Sequence, residues 1–446
     1  MNHKLVFLKE SHFNRSKQVS FPWKYKAVSV LLSLTLLLGN TSPVQASEDI
    51  KDETAPAAEV IDESASSDST VQAETPEEEI IHSAYYDSPI ESNEWQNWPE
   101  GPSIEAQAAI VMDYYTGAVL YSKSADAQMY PASITKIMTA LLACENNSLD
   151  EIVTVSENAV YNISEDSSRA WLEVGESLTM EQMLLCIMLQ SANDAAYAVA
   201  EHTSGSMKKF VELMNQRARE IGCTGTHFNN PHGLHSENHY TTARDMALIA
   251  KTAWRNTRFR RFASTVTCEI PPTELFQETR SYLNNHKMMK TEEYEYPGVL
   301  GGKTGFTDQA GNTLVTVARK NSMALIVVVL NGINGAYSDT AALLDYGFEN
   351  FKNYRVDTLV AGDTLKTLPC DQLILSSGAW PSVREPASNY YVTLPKDAKP
   401  RLMFSENKAL DSSPCRGQIL TNYYYYGNFA GSCLSYQKEV LSTLLQ

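Results

Sequence analysis

Two kinds of hydrophobic periodicity alternate along this chain, and their order constrains the fold more than any other feature. Strand-like runs come first: "AQAAIVMDYYTGAVLYSK" sets two β-prone segments around "DYYTG", a hairpin signal. From Ser133 to about Arg261 helical spacing takes over. Apolar positions recur at three and four in "TMEQMLLCIMLQSANDAAYAVAEHT" and "MKKFVELMNQRAREIG". Strands return in "TLVTVARK" and "MALIVVVLN", β-branched runs joined by a short polar turn. Strands on both sides of a helical middle predict an α/β (α+β) fold: one sheet built from both ends of the domain, helices on its faces and a helical insertion beside it.

The flanks read differently. Lys4, Lys9, Arg15, Lys17, Lys24 and Lys26 precede the apolar run "AVSVLLSLTLLLG", and small residues surround Ala46. Residues 1–46 therefore read as a secretory signal cleaved after Ala46, implying export to the outer side of the cytoplasmic membrane. The apolar run is short for a transmembrane span, which makes an uncleaved anchor the lesser reading. No Cys follows it, so the usual bacterial lipid-anchor pattern is missing. Residues 47–94 hold 15 Asp or Glu against Lys51, and so account for most of the net charge of −17. Such a segment buries too little apolar surface to offset its ordering entropy and is expected to be a disordered acidic spacer. The catalytic domain is expected over 95–354. From Arg355 onward, short β-prone pieces such as "DTLVAG", "YYVTLP" and "GQILTNYYYYGNF" predict a separate small all-β domain over 355–446. The final "LSYQKEVLSTLLQ" is faintly amphipathic, so membrane association is an open expectation.

Several function classes are disfavoured. Lys and Arg form no basic stripe with interleaved aromatics, so no nucleic-acid partner is expected. The seven Cys are scattered singly, without a C-x-x-C pair or metal-ligand spacing. Cys144, Cys186 and Cys223 sit in or beside apolar helical patterns and read as buried thiols. Cys370, Cys415 and Cys433 share the C-terminal region, where a bridge is geometrically possible. His227, His232, His235 and His239 cluster in sequence. Their spacing gives no zinc-binding helical face, and "NNPHGL" is turn chemistry, so they read as loop structure, with no metal and no cofactor expected.

What remains is a chemical pattern. Ser133 and Lys136 stand three residues apart in "MYPASITKIMTALLA", where a loop becomes an apolar helix. As structure alone, Ser133 is an N-cap and Lys136 a solvated first-turn residue. A lysine, however, has the wrong charge for a helix N-terminus. Chemically the pair makes sense. A serine hydroxyl needs a base to take its proton and an oxyanion site to receive the developing charge. Positions three apart share a helix face, so Lys136 can reach Ser133 Oγ. Lys136 must then be partly neutral, and burial plus the charge of Lys303 would both depress its pKa. Two further motifs follow in order: Ser191-Ala192-Asn193 at the end of an apolar helix, and Lys303-Thr304-Gly305 at a strand entry.

With these three motifs in this order, the sequence resembles the low-molecular-mass penicillin-binding proteins, the serine-type D-alanyl-D-alanine carboxypeptidases. The resemblance runs from about Ala106 to the C-terminus and includes "LLCIMLQSANDAAYAVAEH", "HFNNPHGLHSENHYTTARDMA" and "GVLGGKTGFTDQAGNTLVTVA". Many carboxypeptidases have Gly where this chain has Ala192, a position without side-chain chemistry. The resemblance implies a β-lactamase/transpeptidase-like domain with an antiparallel sheet and a helical subdomain. It also implies removal of the terminal D-Ala from peptidoglycan stem peptides and acylation by β-lactams. By analogy, Ser133 is the nucleophile, Lys136 the base, Ser191 a proton relay and Asn193 a holder of the substrate amide. Lys303 and Thr304 would bind the terminal carboxylate, and Gly305 would let the substrate backbone lie against the strand. The N–H groups of Ser133 and Phe306 would be the oxyanion donors. A class A β-lactamase would place a deacylating glutamate near Glu165 and Asp166, but no "E-x-x-L-N" element is present, and both read as solvated charges. A D,D-endopeptidase, a serine β-lactamase and a non-catalytic wall-binding or β-lactam-sensing protein are the rival readings.

Overall fold

The strand β1 (Ala106–Asp113) divides the molecule into two cores, because successive side chains on a strand point to opposite faces. Ala108, Ile110 and Met112 enter one buried cluster, while Ala109 and Val111 enter the other. A computed structural model of the chain describes residues 81–289, 293–333, 335–355, 391–399, 403–410 and 418–436.

β1 and β2 (Val119–Lys123) form the expected hairpin. A 3₁₀ turn over Ala132–Thr135 leads into α1 (Lys136–Asn146). Then come β3 (Ile152–Thr154), α2 (Glu157–Tyr161), β4 (Ser177–Thr179) and α3 (Met180–Leu185). α3 starts on a capping box, in which the Thr179 side chain accepts from Gln182 N–H and the Gln182 side chain answers to Thr179 N–H. The long apolar pattern predicted as one helix breaks here. A π-helical turn over Cys186–Gln190 ends at Ser191, whose backbone is left-handed (φ 62°), and α4 (Asn193–Ser204) begins anew. α5 (Met207–Ile221), α6 (Ala243–Arg255) and α7 (Thr257–Ala263) complete the helical part. The hairpin of β5 (Thr267–Ile270) and β6 (Arg280–Leu283) follows. The chain then returns to the main sheet as β7 (Val299–Thr307), β8 (Gly311–Lys320) and β9 (Met323–Gly332).

The sheet has five antiparallel strands in the order β2-β1-β9-β8-β7. Sequence-distant β1 and β9 pair at its centre, with Ala106 opposite Gly332. This is the sheet built from both ends of the domain. The run "MALIVVVL" is apolar at every step because β9 is covered on both faces: Ile326 and Val328 pack toward α1 and α6, Leu325 and Val327 toward α8 (Ala336–Asn350). In the first turn of α8 the Asp339 carboxylate accepts from the N–H groups of Glu105 and Ala106, fixing that helix to the start of β1.

Two expected boundaries move. The acidic spacer does not extend to Glu94, because residues 81–94 have partners in the domain. The Glu91 carboxylate accepts from Ser124 N–H, the buried Lys123 ammonium donates to Tyr85 O at 2.6 Å, and Ile90 is buried. Composition counts these carboxylates as repulsive charge, but Glu91 is individually taken up by a backbone donor. At the other end, β10 (Phe351–Arg355) pairs with β11 (Tyr391–Pro395), with Arg355 opposite Tyr391, so a boundary at 354/355 would cut a strand. The sheet β12 (Met403–Leu410), β13 (Gln418–Tyr425) and β14 (Asn428–Tyr436) is all-β as expected. It is not a separate domain: Val392, Leu394, Tyr423, Tyr425 and Ala430 share the second core with Ala109, Leu120 and Leu344. The expected signal at 1–46, the spacer up to residue 80, "DTLVAG", Cys370 and Cys415 lie outside the described residues. Cys144, Cys186 and Cys223 are buried free thiols.

Candidate active site

The approach to Ser133 is bent sharply. Ala132 sits in the left-handed region (φ 49°), a conformation that costs a residue with a side chain about 1–2 kcal/mol. Neighbouring groups hold it there: Thr135 Oγ1 donates to Ala132 O at 2.8 Å, and Thr313 Oγ1 of β8 donates to Pro131 O at 2.9 Å. Gly233 closes over the same spot. With φ at 88°, it lies so near that a Cβ on it would stand 1.9 Å from Ala132 O. The backbone leaves Ala132 as a 3₁₀ turn rather than the expected α-helix, and in a 3₁₀ turn residues three apart eclipse one another. Lys136 is thereby set directly beside Ser133. Neither the 3₁₀ turn nor α1 has a side-chain cap, so the capping role for Ser133 is replaced by a 2.8 Å contact between Ser133 Oγ and Lys136 Nζ.

Lys136 is fully buried. Its Nζ also donates to Asn193 Oδ1 at 2.7 Å and to His232 O at 2.6 Å. Two of its three partners are carbonyl oxygens that can only accept. The third is a hydroxyl, which can donate. A neutral amine satisfies all three, giving its two N–H bonds to the carbonyls and its lone pair to the Ser133 hydroxyl. Burial, and secondly the charge of Lys303, push the Lys136 pKa well below the ordinary lysine value, which favours that neutral form.

Ser191 and Asn193 stand on either side of the break between the π turn and α4. The Ser191 hydroxyl accepts from Lys303 Nζ at 3.1 Å, while Asn193 is bonded to Lys136. Asp194, next in the chain, orders the opposite wall: its carboxylate accepts from Ala170 N–H and Leu172 N–H, and Asn193 N–H donates to Ser168 O. Sequence reasoning missed Asp194. Its only outward signal is its place in the first turn of α4, where a carboxylate suits the helix N-terminus.

Lys303, Thr304, Gly305 and Phe306 lie in the middle and final part of β7, the edge strand of the sheet, not at its entry. Lys303 is buried, and burial lowers its pKa to about 7. Thr304 is half-buried beside it, and Phe306 is exposed. Gly305 has a reason that sequence reading did not foresee. A Cβ there would stand 2.7 Å from Ser133 N and 2.5 Å from Thr313 Oγ1, so the missing side chain lets β7 press against the backbone of Ser133 itself.

Two of the four clustered histidines make contacts beside the site. His239 Nδ1 accepts from Asn229 N–H, leaving Nε2–H to donate to Thr135 Oγ1 at 2.8 Å. Burial drives its pKa down to about 3, which keeps this neutral tautomer in place. His232 contributes its backbone carbonyl to Lys136, a role invisible in the residue type. His227 and His235 are exposed. Among the described residues no group of three or more His, Cys, Asp or Glu is arranged to hold a metal. Glu165 and Asp166 are exposed.

Comparison with known proteins shows what this chain is similar to. The family model described as D-alanyl-D-alanine carboxypeptidase matches residues 95–334. The chain is 36% identical over 257 residues to the D-alanyl-D-alanine carboxypeptidase DacF of Bacillus subtilis, a match covering 56% of this chain and 64% of that protein. It is 31% identical over 343 residues to DacA of Haemophilus influenzae, covering 73% of this chain and 81% of that one. Among solved structures, the DD-transpeptidase of Streptomyces strain K15 superposes with a TM-score of 0.53 at 32% identity, over 56% of this chain and 100% of that chain.

Proposed function

Because this chain belongs to the D-alanyl-D-alanine carboxypeptidase family, we propose that it removes the terminal D-Ala from peptidoglycan stem pentapeptides through an acyl-enzyme on Ser133. The observation that carries the reading is the 2.8 Å contact between Ser133 Oγ and a buried Lys136 whose remaining partners are carbonyls. Lys136 takes the hydroxyl proton as Oγ attacks the carbonyl carbon of the penultimate D-Ala. The oxyanion forms against the N–H groups of Ser133 and Phe306. Collapse breaks the C–N bond, and the proton reaches the leaving amine through Ser191, which Lys303 orients. Water then attacks the ester with Lys136 again as base, releasing the shortened peptide and restoring the Ser133 hydroxyl.

The other roles follow from the same geometry. Asn193 gives its carbonyl end to Lys136, so its NH₂ end is the donor for a substrate amide. Lys303 and Thr304 take the terminal carboxylate, an anion meeting a buried cation. β7 offers a free edge, and an extended peptide can add to it as a further strand. The same serine would be acylated by β-lactams. The basic region and apolar run ahead of Ala46 support export to the cell envelope, and among the described residues no helix is long and apolar enough to cross a membrane.

The test is release of D-alanine from a pentapeptide ending in D-Ala-D-Ala, together with labelling by a fluorescent penicillin. Ser133→Ala should abolish both while leaving the thermal transition in place. Lys136→Arg, whose guanidinium cannot act as the base, should slow labelling by ~10²–10⁴. Labelling that persists in Ser133→Ala moves the nucleophile elsewhere.

A further inference from the structure

Arg280 sits in β6, outside every motif read from the sequence, yet its guanidinium ends against the wall of the site. We propose that Arg280, with Tyr282 beside it, is a positioning residue for Asn193. It fixes the segment 168–172, and that segment fixes Asn193 where Lys136 needs it. The proposal rests on the active-site reading above and adds to it a residue that touches no reacting atom.

The segment is gripped from both sides. Its N–H groups turn one way: those of Ala170 and Leu172 donate to the Asp194 carboxylate at 3.0 and 3.2 Å. Its carbonyls turn the other way. Arg280 Nε donates to Ala170 O at 3.0 Å, and Arg280 Nη2 donates to Trp171 O at 3.1 Å. Tyr282 shares a face of β6 with Arg280, being two residues on, and its hydroxyl donates to Ala170 O at 3.3 Å. Nearer the site, Asn193 N–H donates to Ser168 O at 2.9 Å, while the Asn193 side chain accepts from Lys136 Nζ at 2.7 Å. Few steps separate hairpin and site: Arg280 to Ala170, Ala170 to Asp194, and from the residue next to Asp194 to Lys136.

The segment does not hold this shape by local preference. Trp171, whose carbonyl is one of the two taken by Arg280, is left-handed (φ 57°) and has an exposed ring. A bulky residue stays in that region only where its surroundings over-determine it. Here the surroundings are Asp194 on one side and Arg280 on the other.

Arg280 is itself held firmly. Its ion pair with Glu176 is buried, with side-chain exposures of 3% and 0%. Nη1 and Nη2 donate to the two carboxylate oxygens at 2.8 and 2.9 Å, and the guanidinium lies 3.7 Å from the centroid of the Phe276 ring. Glu176 also accepts from Glu173 N–H at 3.0 Å and from the Thr273 hydroxyl at 2.7 Å. Buried ion pairs seldom add net stability. What this one supplies is direction: the planar fork engages Glu176 and still aims two N–H groups at the carbonyls of Ala170 and Trp171, which a lysine cannot do.

The experiment uses the full chain with Arg280→Lys, which keeps a charge opposite Glu176 but not the fork, and with Glu176→Gln, which breaks the ion pair but leaves both carbonyls bonded. Two quantities are read: the rate of acylation by a fluorescent penicillin, and the side-chain amide resonance of Asn193 in protein labelled with ¹⁵N-asparagine, identified by its loss in Asn193→Ala. Arg280→Lys should move the resonance and slow acylation about ten-fold, less than the ~10² of a misplacement of about 1 Å. Glu176→Gln should melt at a lower temperature, yet acylate within about two-fold of wild type with the resonance in place. An unmoved resonance or an unchanged rate in Arg280→Lys makes the residue merely structural and overturns the proposal, as does a Glu176→Gln protein that is equally slow. If Arg280→Lys does not fold, Tyr282→Phe, which takes one hydroxyl from Ala170 O, replaces it: the resonance must move, and an unmoved one overturns the proposal. If penicillin leaves wild type unlabelled, the active-site reading fails, and the Asn193 resonance alone decides by the same criterion.

Discussion

Gly305 and Ser133 approach so closely that one added methyl group on Gly305 would stand 2.7 Å from the Ser133 backbone nitrogen. Thr313 Oγ1 and Ile134 N hem in the same point at 2.5 and 3.0 Å. Two of these three atoms are backbone, so relief requires β7 and the 3₁₀ turn to separate. Gly305→Ala should therefore lower stability by about 1–3 kcal/mol, the usual cost of overpacking. It should slow penicillin acylation much more, by ~10² or beyond, because it displaces the Ser133 N–H, a proposed oxyanion donor. Comparing melting temperature with labelling rate checks this, and labelling at the wild-type rate would sink it.

Lys303 gives a pH signature. Its pKa is lowered to about 7 by burial, so above that pH the protein alone loses the charge that a carboxylate needs. kcat/KM should fall as pH rises through about 7. A bound carboxylate favours the charged lysine, so kcat should begin to fall only at higher pH. The stability effect has the opposite sign. The unfolded lysine keeps its proton up to about 10.4 while the folded one has released it, so between about 7 and 10.4 the unfolded state binds more protons. Stability should then rise with pH, by at most ~1.4 kcal/mol per unit. A kcat/KM flat from pH 6 to pH 9 contradicts the assignment.

The acyl-enzyme formed with penicillin should persist. Glu165 and Asp166 are exposed, and the Asp194 carboxylate is occupied by the N–H groups of Ala170 and Leu172. No described carboxylate is placed to activate a water at Ser133, and general-base help of that kind is worth ~10²–10⁴. Mass spectrometry after a penicillin pulse should find a lasting adduct on the Ser133 peptide. Rapid catalytic destruction of penicillin would favour a β-lactamase.

Trimming the chain to residues 95–354 should damage it at both ends. Removing Tyr85 takes one of two carbonyl partners from the buried Lys123 ammonium, leaving Ile104 O. Losing a hydrogen bond to a buried charge costs about 1.5–3 kcal/mol. Removing β11 to β14 uncovers the second core where Val392 and Leu394 pack, each worth about 1.5–3 kcal/mol when buried. A trimmed protein should melt at lower temperature and aggregate, and restoring residues 81–94 and 355–446 should reverse both. A trimmed chain as stable as the whole would mean that these contacts contribute little.

The parts of this molecule that were legible in sequence are those whose chemistry is carried by side-chain type and order. The sheet from both chain ends followed from periodicity, the Ser133 and Lys136 pair from spacing, and Ser191, Asn193 and Lys303 from motifs that resemble a known family's; the structure brings these five together. What escaped notice is carried by backbone. The His232 carbonyl that receives Lys136, the left-handed Ala132 and Ser191, and the 3₁₀ turn in place of an α-helix leave no mark in residue identity. Gly305 and Gly233 were visible as glycines, but they stand 172 and 100 positions from Ser133 in the numbering, and the backbone atoms beside Ser133 that they make room for could not be named beforehand. The C-terminal strands were legible as strands. Their membership in the second core was not, because alternation shows that a face is buried without showing against what.

The central pairing of β1 with β9 sets the schedule on which the protein can become itself. Ala106 must wait for Gly332, and Ser191 for Lys303, so a chain emerging from its N-terminus carries Ser133 and Lys136 long before it carries the strand that confines them. Until then the β1–β2 hairpin is a two-stranded ribbon with both apolar faces bare, marginal in water and open to pairing with a neighbour. Contacts so distant in sequence fold slowly, because loop closure must be met before any of them forms. The hazard in making this protein is thus a matter of time spent unfinished, and variants that lower yield without touching the site are expected to cluster in β7, β8 and β9.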